Sequence, residues 1–185
     1  MKTVLIANQK GGVGKTTIAD QLVLELQRRA QKTSYANLDN QGGNIFESTE
    51  AESDTAYQIV DTPGALTDDF SEWCAAADVI IIPTLVSMLD RLPLLRCYDL
   101  ALGAIQRAGA NSKLGVVINC FDPRGILDRE FFDYLKNTEQ VDIVATLPRS
   151  VVFRRAEAEG VSISSLPRSE KPTRAFSQLV DWVME

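Results

Sequence analysis

A glycine-rich segment near the start of the chain carries the residues with the clearest chemistry. Residues 8–17 read NQKGGVGKTT and lie between a β-branched run and a helix-length amphipathic stretch. Glycines at this spacing let the backbone turn tightly and aim N–H groups at anionic oxygens, and the positive end of the following helix strengthens that field. Lys15 is then expected to bridge the β- and γ-phosphates of a nucleotide, and the Thr16 hydroxyl to coordinate Mg²⁺. The segment predicts a phosphate-binding loop whose nucleotide contacts are Lys10, Gly11, Gly12, Val13, Gly14, Lys15, Thr16 and Thr17.

A carboxylate ends one of the hydrophobic runs further along the chain. Asp61 closes the run 57–61 and is followed by Thr-Pro-Gly. Ligands bind at the carboxyl ends of parallel strands, so Asp61 is expected at the ligand edge of a sheet, where it can hold Mg²⁺ through a water molecule. Gly64 would let the next loop approach the γ-phosphate. The alternative is that Asp61 only caps a turn.

An amide follows another hydrophobic run in the same way. Asn119 comes after the run that begins at Leu114. Its side chain offers both a donor and an acceptor, which suits pairing with adenine. The alternative is local turn chemistry, because Asn is common where strands end.

Short β-branched runs alternate with helix-length stretches along the whole chain. The pattern predicts strands at 3–7, 33–38, 57–61, 79–83, 114–119 and 143–146, and helices at 15–31, 66–77, 89–108, 128–136, 151–159 and 173–184. It indicates an α/β fold of the P-loop NTPase type, a three-layer sandwich with a mostly parallel, twisted sheet flanked by helices on both faces. A single domain over 1–185 accommodates these elements. The polar stretch 42–56 is expected to be an exposed loop or a short helix.

The composition excludes several classes of site. The chain has 185 residues, 45% of them hydrophobic, and no histidine, which excludes His-based triads, imidazole general bases and His–metal centres. Its three cysteines are far apart, which is typical of neither a disulfide framework nor a zinc site and favours a reducing cytoplasm. The N-terminus is predicted to be a core strand rather than a signal peptide, and the apolar runs are too short to span a membrane.

The net charge of −6 is unevenly distributed. Residues 148–176 include six basic and three acidic side chains, so this region carries +3 and the remainder −9. A basic C-terminal quarter on an acidic body indicates an anionic partner. The alternative is a solvated face balanced by local acids. The basic residues are Arg149, Arg154, Arg155, Arg168, Lys171 and Arg174.

The glycine loop differs from the common G-x-x-x-x-G-K-[ST] pattern. Gln9 stands where the first glycine is expected, and an additional lysine, Lys10, follows it. In this respect the loop resembles the deviant Walker A loop, K-G-G-x-G-K-[ST], of the ParA/MinD/nitrogenase iron-protein superfamily. The resemblance implies that Lys10 acts in trans on the phosphates bound by a second subunit, and that ATP holds a homodimer together.

The segment 37–44, NLDNQGGN, is similar to the superfamily's D-x-D-P-Q-G-N segment. Asn37 and Asn40 replace its first Asp and its Pro, whereas Asp39 retains the second Asp. The resemblance implies that Asp39 orients or deprotonates the attacking water and lies at the metal site. The alternative is that Asp39 is a turn or N-cap residue beside the glycines. The stretch between 44 and 58 is several times shorter than in relatives, which affects a region close to the dimer and partner surface.

The adenine pocket of relatives has counterparts here as well. The resemblance implies base contacts from Asn119 and from backbone groups around Pro148, within the segment 146–151, TLPRSV, which is similar to the partition ATPases' IPR-x-V element. These matches follow the order of the superfamily along the chain and resemble the small ParA-type partition ATPases.

The leading functional hypothesis is therefore a slow, Mg²⁺-dependent ParA-like ATPase that acts in plasmid or chromosome segregation. Its catalytic residues are Lys10, Lys15 and Asp39, and its metal site comprises Thr16, Asp39 and Asp61. The resemblance implies that the ATP-bound homodimer binds DNA non-specifically, in the cytoplasm and at the nucleoid. A membrane is not expected among its partners. A ParB-type centromere-binding protein is the expected partner that stimulates hydrolysis. The six basic residues of 148–176 are candidate DNA phosphate contacts.

Three other functions are weighed against this one. A MinD-like ATPase works at a membrane or cell pole, but the last predicted helix has the apolar face of a helix packed on its own domain. An iron–sulfur reductase needs two cysteines per subunit at the dimer seam, whereas Cys74 and Cys97 are expected to be buried structural thiols. A ligase resembling dethiobiotin synthetase needs a substrate site, for which we find no candidate residues.

Overall fold

The computed structural model describes residues 1–39, 45–65, 68–139 and 141–185. Strands and helices alternate along these ranges, and a 3₁₀ turn at Ile163–Ser165 precedes the last helix. The elements are β1 (Lys2–Ile6), α1 (Lys15–Arg28), β2 (Thr33–Asn37), β3 (Tyr57–Asp61), α2 (Phe70–Ala76), β4 (Val79–Leu85), α3 (Met88–Ala108), β5 (Lys113–Phe121), α4 (Ile126–Asn137), β6 (Ile143–Pro148), α5 (Val151–Glu159) and α6 (Glu170–Met184).

The strands form one sheet in the order β2-β3-β1-β4-β5-β6, and every described pairing is parallel. Because all strands run in the same direction, their carboxyl ends lie along one edge. The strand order reverses at β1, which lies between β3 and β4, and such switch points are where ligands bind in open α/β sheets. The predicted fold is confirmed, and the loop that follows β1 lies at its binding edge.

Alternate residues of the strands pack against opposite layers of helices. In β1, Val4 and Ile6 pack on the side of α1, α5 and α6, whereas Leu5 packs on the side of α2, α3 and α4. All of these side chains are fully buried. Burial on both faces explains the near-continuous hydrophobic runs of the strands.

The last helix, α6, packs on its own domain as the sequence predicted. Its apolar face is fully buried against the sheet and comprises Phe176, Leu179, Val180 and Val183. The helix begins at Glu170, whereas the sequence predicted a start at 173. Pro172 does not prevent the earlier start, because the N–H groups of the first helical turn have no hydrogen-bond partner within the helix. Among the described residues, no helix is both long enough and apolar enough to cross a bilayer.

The described part of the polar stretch, 45–56, is a loop and contains no helix. It runs along the outer edge of β2, where the backbone N–H of Thr49 donates to the carbonyl of Tyr35 at 2.8 Å and the Thr49 hydroxyl accepts from the Tyr35 N–H at 3.1 Å. Ser48 accepts from the N–H of Asn37 in the same way. These contacts satisfy polar groups that an edge strand leaves open.

The structure leaves part of the predicted second helix undescribed and shows where the three cysteines lie. The predicted start of α2, at 66–67, and Asn40 lie outside the described residues, and α2 begins at Phe70. Cys74 and Cys97 are buried free thiols, as predicted, whereas Cys120 is exposed.

Gly115→Ala is expected to lower the stability of the fold by about 1–3 kcal/mol, because an added methyl overpacks a filled core. A Cβ at this position of β5 would lie 2.5 Å from Val144 of β6 and 2.9 Å from the Trp182 ring of α6. Thermal unfolding measures the loss.

Gly103→Ala in α3 is the matched control. Its added Cβ meets only the mobile end of Arg107, at 3.1 Å. Because alanine is a better helix former, this change should stabilise by about 0.5–1 kcal/mol. Equal melting temperatures for the two variants would contradict the packing described here.

Candidate phosphate-loop nucleotide site

The loop between β1 and α1 has the backbone geometry of an anion cradle. Gly12 and Gly14 adopt left-handed conformations, with φ of 76° and 98°. At Gly14 a Cβ would lie 2.4 Å from Nδ2 of Asn119, so both the conformation and the space require glycine. The first N–H groups of α1 have no partners within the helix and point into this turn.

Lys15 is almost completely buried, with 7% of the residue exposed. Its ammonium donates to the carbonyl of Lys10 at 3.4 Å, and Gly64 approaches it closely enough that a Cβ there would lie at 3.7 Å. Burial lowers the pKa of Lys15, and the nearby carboxylates of Asp61 and Asp39 oppose that shift. The loop therefore holds a desolvated positive charge that interacts strongly with an anionic ligand.

Thr16 and Asp61 meet beside this lysine. The Thr16 hydroxyl donates to Oδ2 of Asp61 at 2.7 Å. Asp61 is fully buried, and its other oxygen, Oδ1, accepts no hydrogen bond of good geometry from the described residues. Burial raises the pKa of Asp61, against the opposing effects of the Thr16 hydrogen bond and the Lys15 charge.

Asp39 lies in the same cleft of about 470 Å³ as Lys15 and Thr16. Its backbone N–H donates to the side chain of Asn37 at 2.8 Å, so the residue that replaces the superfamily's first Asp shapes the turn. Hydroxyl and carboxylate oxygens are the donors that Mg²⁺ prefers, and Thr16, Asp61 and Asp39 supply them beside a phosphate cradle. The residues present fit a magnesium nucleotide.

A second cavity of about 410 Å³ adjoins the loop and has the size of a nucleoside pocket. Asn119 and Pro148, the predicted base contacts, both line it, together with the exposed Cys120. Asn119 has a further role that the sequence did not indicate. Its amide donates to the carbonyl of Val13 at 3.0 Å and accepts from the N–H of Cys120 at 2.9 Å. The pocket wall therefore braces the phosphate loop.

The six basic candidates do not form one patch. Arg149 and Arg154 line the nucleoside pocket, whereas Lys171 and Arg174 line a separate groove on the other side of Pro148. Arg155 pairs with Glu159 at 2.7 Å. Arg168 is exposed, with a left-handed φ of 58°. Two of the six thus face the candidate nucleotide rather than a separate surface.

Sequence reasoning missed two buried carboxylates next to the site. Asp90, in the first turn of α3, lies 2.8 Å from the ammonium of Lys10. Asp20, one turn into α1 after Thr16, is 1% exposed and accepts from the N–H of Ile45 at 3.1 Å. The sequence did contain a signal for the burial of Asp20, because this acid occupies one of the positions of α1 that face the core.

Asp20→Asn is expected to stabilise the chain by about 3 kcal/mol above pH 6, or roughly 6–12 °C in Tm. Burial raises the pKa of Asp20 to about 6, so charging this carboxyl opposes folding. The wild type should lose this stability as pH rises from about 4, the ordinary Asp value, to about 6, and the variant should not. Asparagine keeps an acceptor for Ile45.

Thermal melts of both proteins between pH 4 and 8 measure the difference, with the exposed Asp68→Asn as control. A stability difference independent of pH would show that charge on Asp20 is not its cause.

Comparison with known proteins agrees with this geometry. The family model described as the CobQ/CobB/MinD/ParA nucleotide binding domain matches residues 4–163. Maintenance of carboxysome distribution protein A of Halothiobacillus neapolitanus is 26% identical over an alignment of 211 residues, gaps included. The alignment covers 98% of this chain and 96% of that protein.

Solved structures show the same fold. A McdA variant from Cyanothece in complex with ATP superposes with a TM-score of 0.76 at 19% identity, covering 97% of this chain and 96% of that one. The putative plasmid partition protein from Borrelia burgdorferi B31 bound to AMPPNP gives 0.73 at 15% identity, covering 99% and 98%. With a phosphate loop of the deviant type and a family match over most of its length, the chain belongs to the CobQ/CobB/MinD/ParA nucleotide-binding family, as a ParA/MinD-type protein.

Proposed function

We propose that this chain is a Mg²⁺-dependent ATPase that forms a homodimer on binding ATP and positions a cargo through non-specific DNA binding. The observation that carries the proposal is the different placement of the two loop lysines. Lys15 lines the phosphate cleft, whereas Lys10 is absent from its described lining and turns its ammonium towards α3. A lysine that does not serve the cleft of its own chain can serve the cleft of a second copy when it leaves its contact with α3.

The positions of the side chains support the following chemistry. Lys15 and the loop N–H groups bind the β- and γ-phosphates, and Asp39 orients the attacking water. Thr16 and Asp61 would hold Mg²⁺, which would supply positive charge beside the phosphate oxygens. Lys10 of a second copy adds positive charge where negative charge develops in the transition state. Hydrolysis is slow until that copy is in place.

An exposed apolar surface next to Lys10 supports the homodimer. Met88, Leu89 and Leu92, in the first turns of α3, are 72%, 80% and 58% exposed. Large apolar side chains grouped in this way are typical of protein contact surfaces. They flank the ion pair of Lys10, so a copy that receives this lysine also covers them.

The groove lined by Lys171 and Arg174 supports DNA binding. It lies outside the nucleotide cavities, and both side chains are exposed. Dimerisation doubles the number of such grooves and so raises affinity for a polyanion. The names of two relatives, which refer to carboxysome distribution and to plasmid partition, support a positioning role whose cargo is a protein body or DNA. The partner that we propose, from the resemblance to the ParA-type partition ATPases, is a ParB-type protein that stimulates hydrolysis at the nucleoid.

Lys15→Ala is expected to abolish ATP binding, because the ammonium that faces the phosphates is lost. Equilibrium binding of a fluorescent ATP analogue measures this, and sedimentation velocity with a non-hydrolysable analogue measures the loss of dimer. Lys136→Ala, an exposed lysine on α4, is the matched control. Full ATP affinity in the Lys15 variant would overturn the assignment of the loop.

Replacing both Lys171 and Arg174 with alanine is expected to weaken DNA binding and leave ATP affinity intact. Each lost phosphate contact should reduce the slope of log K against log salt by about 0.9. Filter binding of duplex DNA at several salt concentrations, with the ATP analogue present, measures both effects. Arg107→Ala, in the last turn of α3, is the control for lost charge.

If the wild type in the ATP state binds no DNA at low salt, the proposed DNA binding is wrong. Sedimentation with anionic liposomes, run on the same preparation, tests the MinD-like alternative. Binding to the liposomes in place of DNA would favour that alternative.

A further inference from the structure

We propose that Asp90 restrains Lys10 in cis, so that a nucleotide-free chain withholds the lysine that a second copy needs. The inference rests on the proposed ATP-dependent homodimer and concerns its regulation. Asp90 is a positioning residue in this scheme, since it acts on the nucleotide only through Lys10.

The contact has the character of a held charge rather than a surface ion pair. The Lys10 ammonium lies 2.8 Å from Oδ1 of Asp90, whose side chain is only 3% exposed, against 33% for Lys10. Oδ1 accepts no hydrogen bond of good geometry from the described residues, so charge attraction to Lys10 is its main compensation. A buried carboxylate depends strongly on such a partner.

The helix cap does not use the Asp90 side chain. Ser87 caps α3 by accepting from the N–H of Leu89 at 3.1 Å, and Asp90 is the third residue of the helix. In a capping box the acid at this position would accept from the backbone N–H of the cap residue. That N–H donates instead to the carbonyl of Leu85. The carboxylate is therefore turned away from the cap and towards Lys10.

Neighbouring contacts fix the stem of the loop in the same place. The Gln9 amide donates to the carbonyl of Pro93 in α3 at 3.1 Å, and the Asn8 amide donates to the carbonyl of Pro83 in β4 at 2.7 Å. Asn8 also accepts from the backbone N–H of Lys10 at 3.0 Å. The backbone is thus anchored, and only the flexible Lys10 side chain can change partner.

Exchange of that partner couples dimerisation to the nucleotide. When Lys10 leaves for a second copy, it strands the buried charge of Asp90, which opposes association. The triphosphate of the second copy offers a larger negative charge and offsets that cost. Without ATP no such compensation exists, and Lys10 stays with Asp90.

Asp90→Asn removes the charge and keeps the shape. In the nucleotide-free chain, the Lys10 amine should become several-fold more reactive towards an amine-labelling reagent, measured by mass spectrometry relative to Lys136. With the non-hydrolysable analogue, half-maximal dimerisation should require roughly tenfold less nucleotide. Asp90→Glu, which retains the charge, should restore both values towards wild type.

Asp99→Asn, an exposed acid on the same helix, is the matched control and should change neither value. Melting curves check folding, and Asp90→Ser replaces Asp90→Asn if the amide melts early. Unchanged Lys10 reactivity overturns the restraint, and increased reactivity with an unchanged dimerisation threshold overturns its regulatory role. A wild type that binds the analogue and remains monomeric overturns the proposed homodimer and, with it, the regulatory role. A wild type that dimerises, combined with Lys10 reactivity that Asp90→Asn leaves unchanged, overturns the restraint alone.

Discussion

The site depends on one constraint, the burial of opposite charges at the carboxyl edge of a hydrophobic sheet. Lys15 and Asp61 both lie in this interior, and burial shifts the pKa of each towards its neutral form. Their mutual attraction and the hydrogen bond from Thr16 offset only part of that cost. A magnesium nucleotide would supply what the side chains lack: negative charge for the lysine and positive charge for the carboxylate.

The same edge of the sheet connects functions that are far apart in the sequence. Parallel strands bring the ends of β1, β3 and β5 together, so Asn119 reaches the carbonyl of Val13 and leaves no room for a side chain at Gly14. Pro148, at the end of β6, separates the nucleoside pocket from the Lys171 groove. The two cavities therefore share a wall at Pro148.

The short connection between β2 and β3 has a structural consequence of its own. Thr49 and Ser48 use their hydroxyls and one backbone N–H to satisfy the outer edge of β2. A few residues thus protect a strand that would otherwise pair with another chain.

The sequence by itself determined the fold class, the phosphate loop and the carboxylates that end strands. Each of these depends on local rules: the two hydrophobic periods, glycine's conformational range and the position of polar residues at strand ends. Helix ends were less well predicted, as at Pro172 in α6, because a first turn tolerates proline.

Only the tertiary structure decided which side chains meet. It placed Lys10 against Asp90, eighty residues further along the chain. It also placed two of the six basic residues in the candidate nucleoside pocket and two in a separate groove. It also gave Asn119 a bracing role that its position in the sequence did not indicate. Such contacts depend on how the layers pack and on which charges burial leaves without water, and neither quantity is encoded by spacing along the chain.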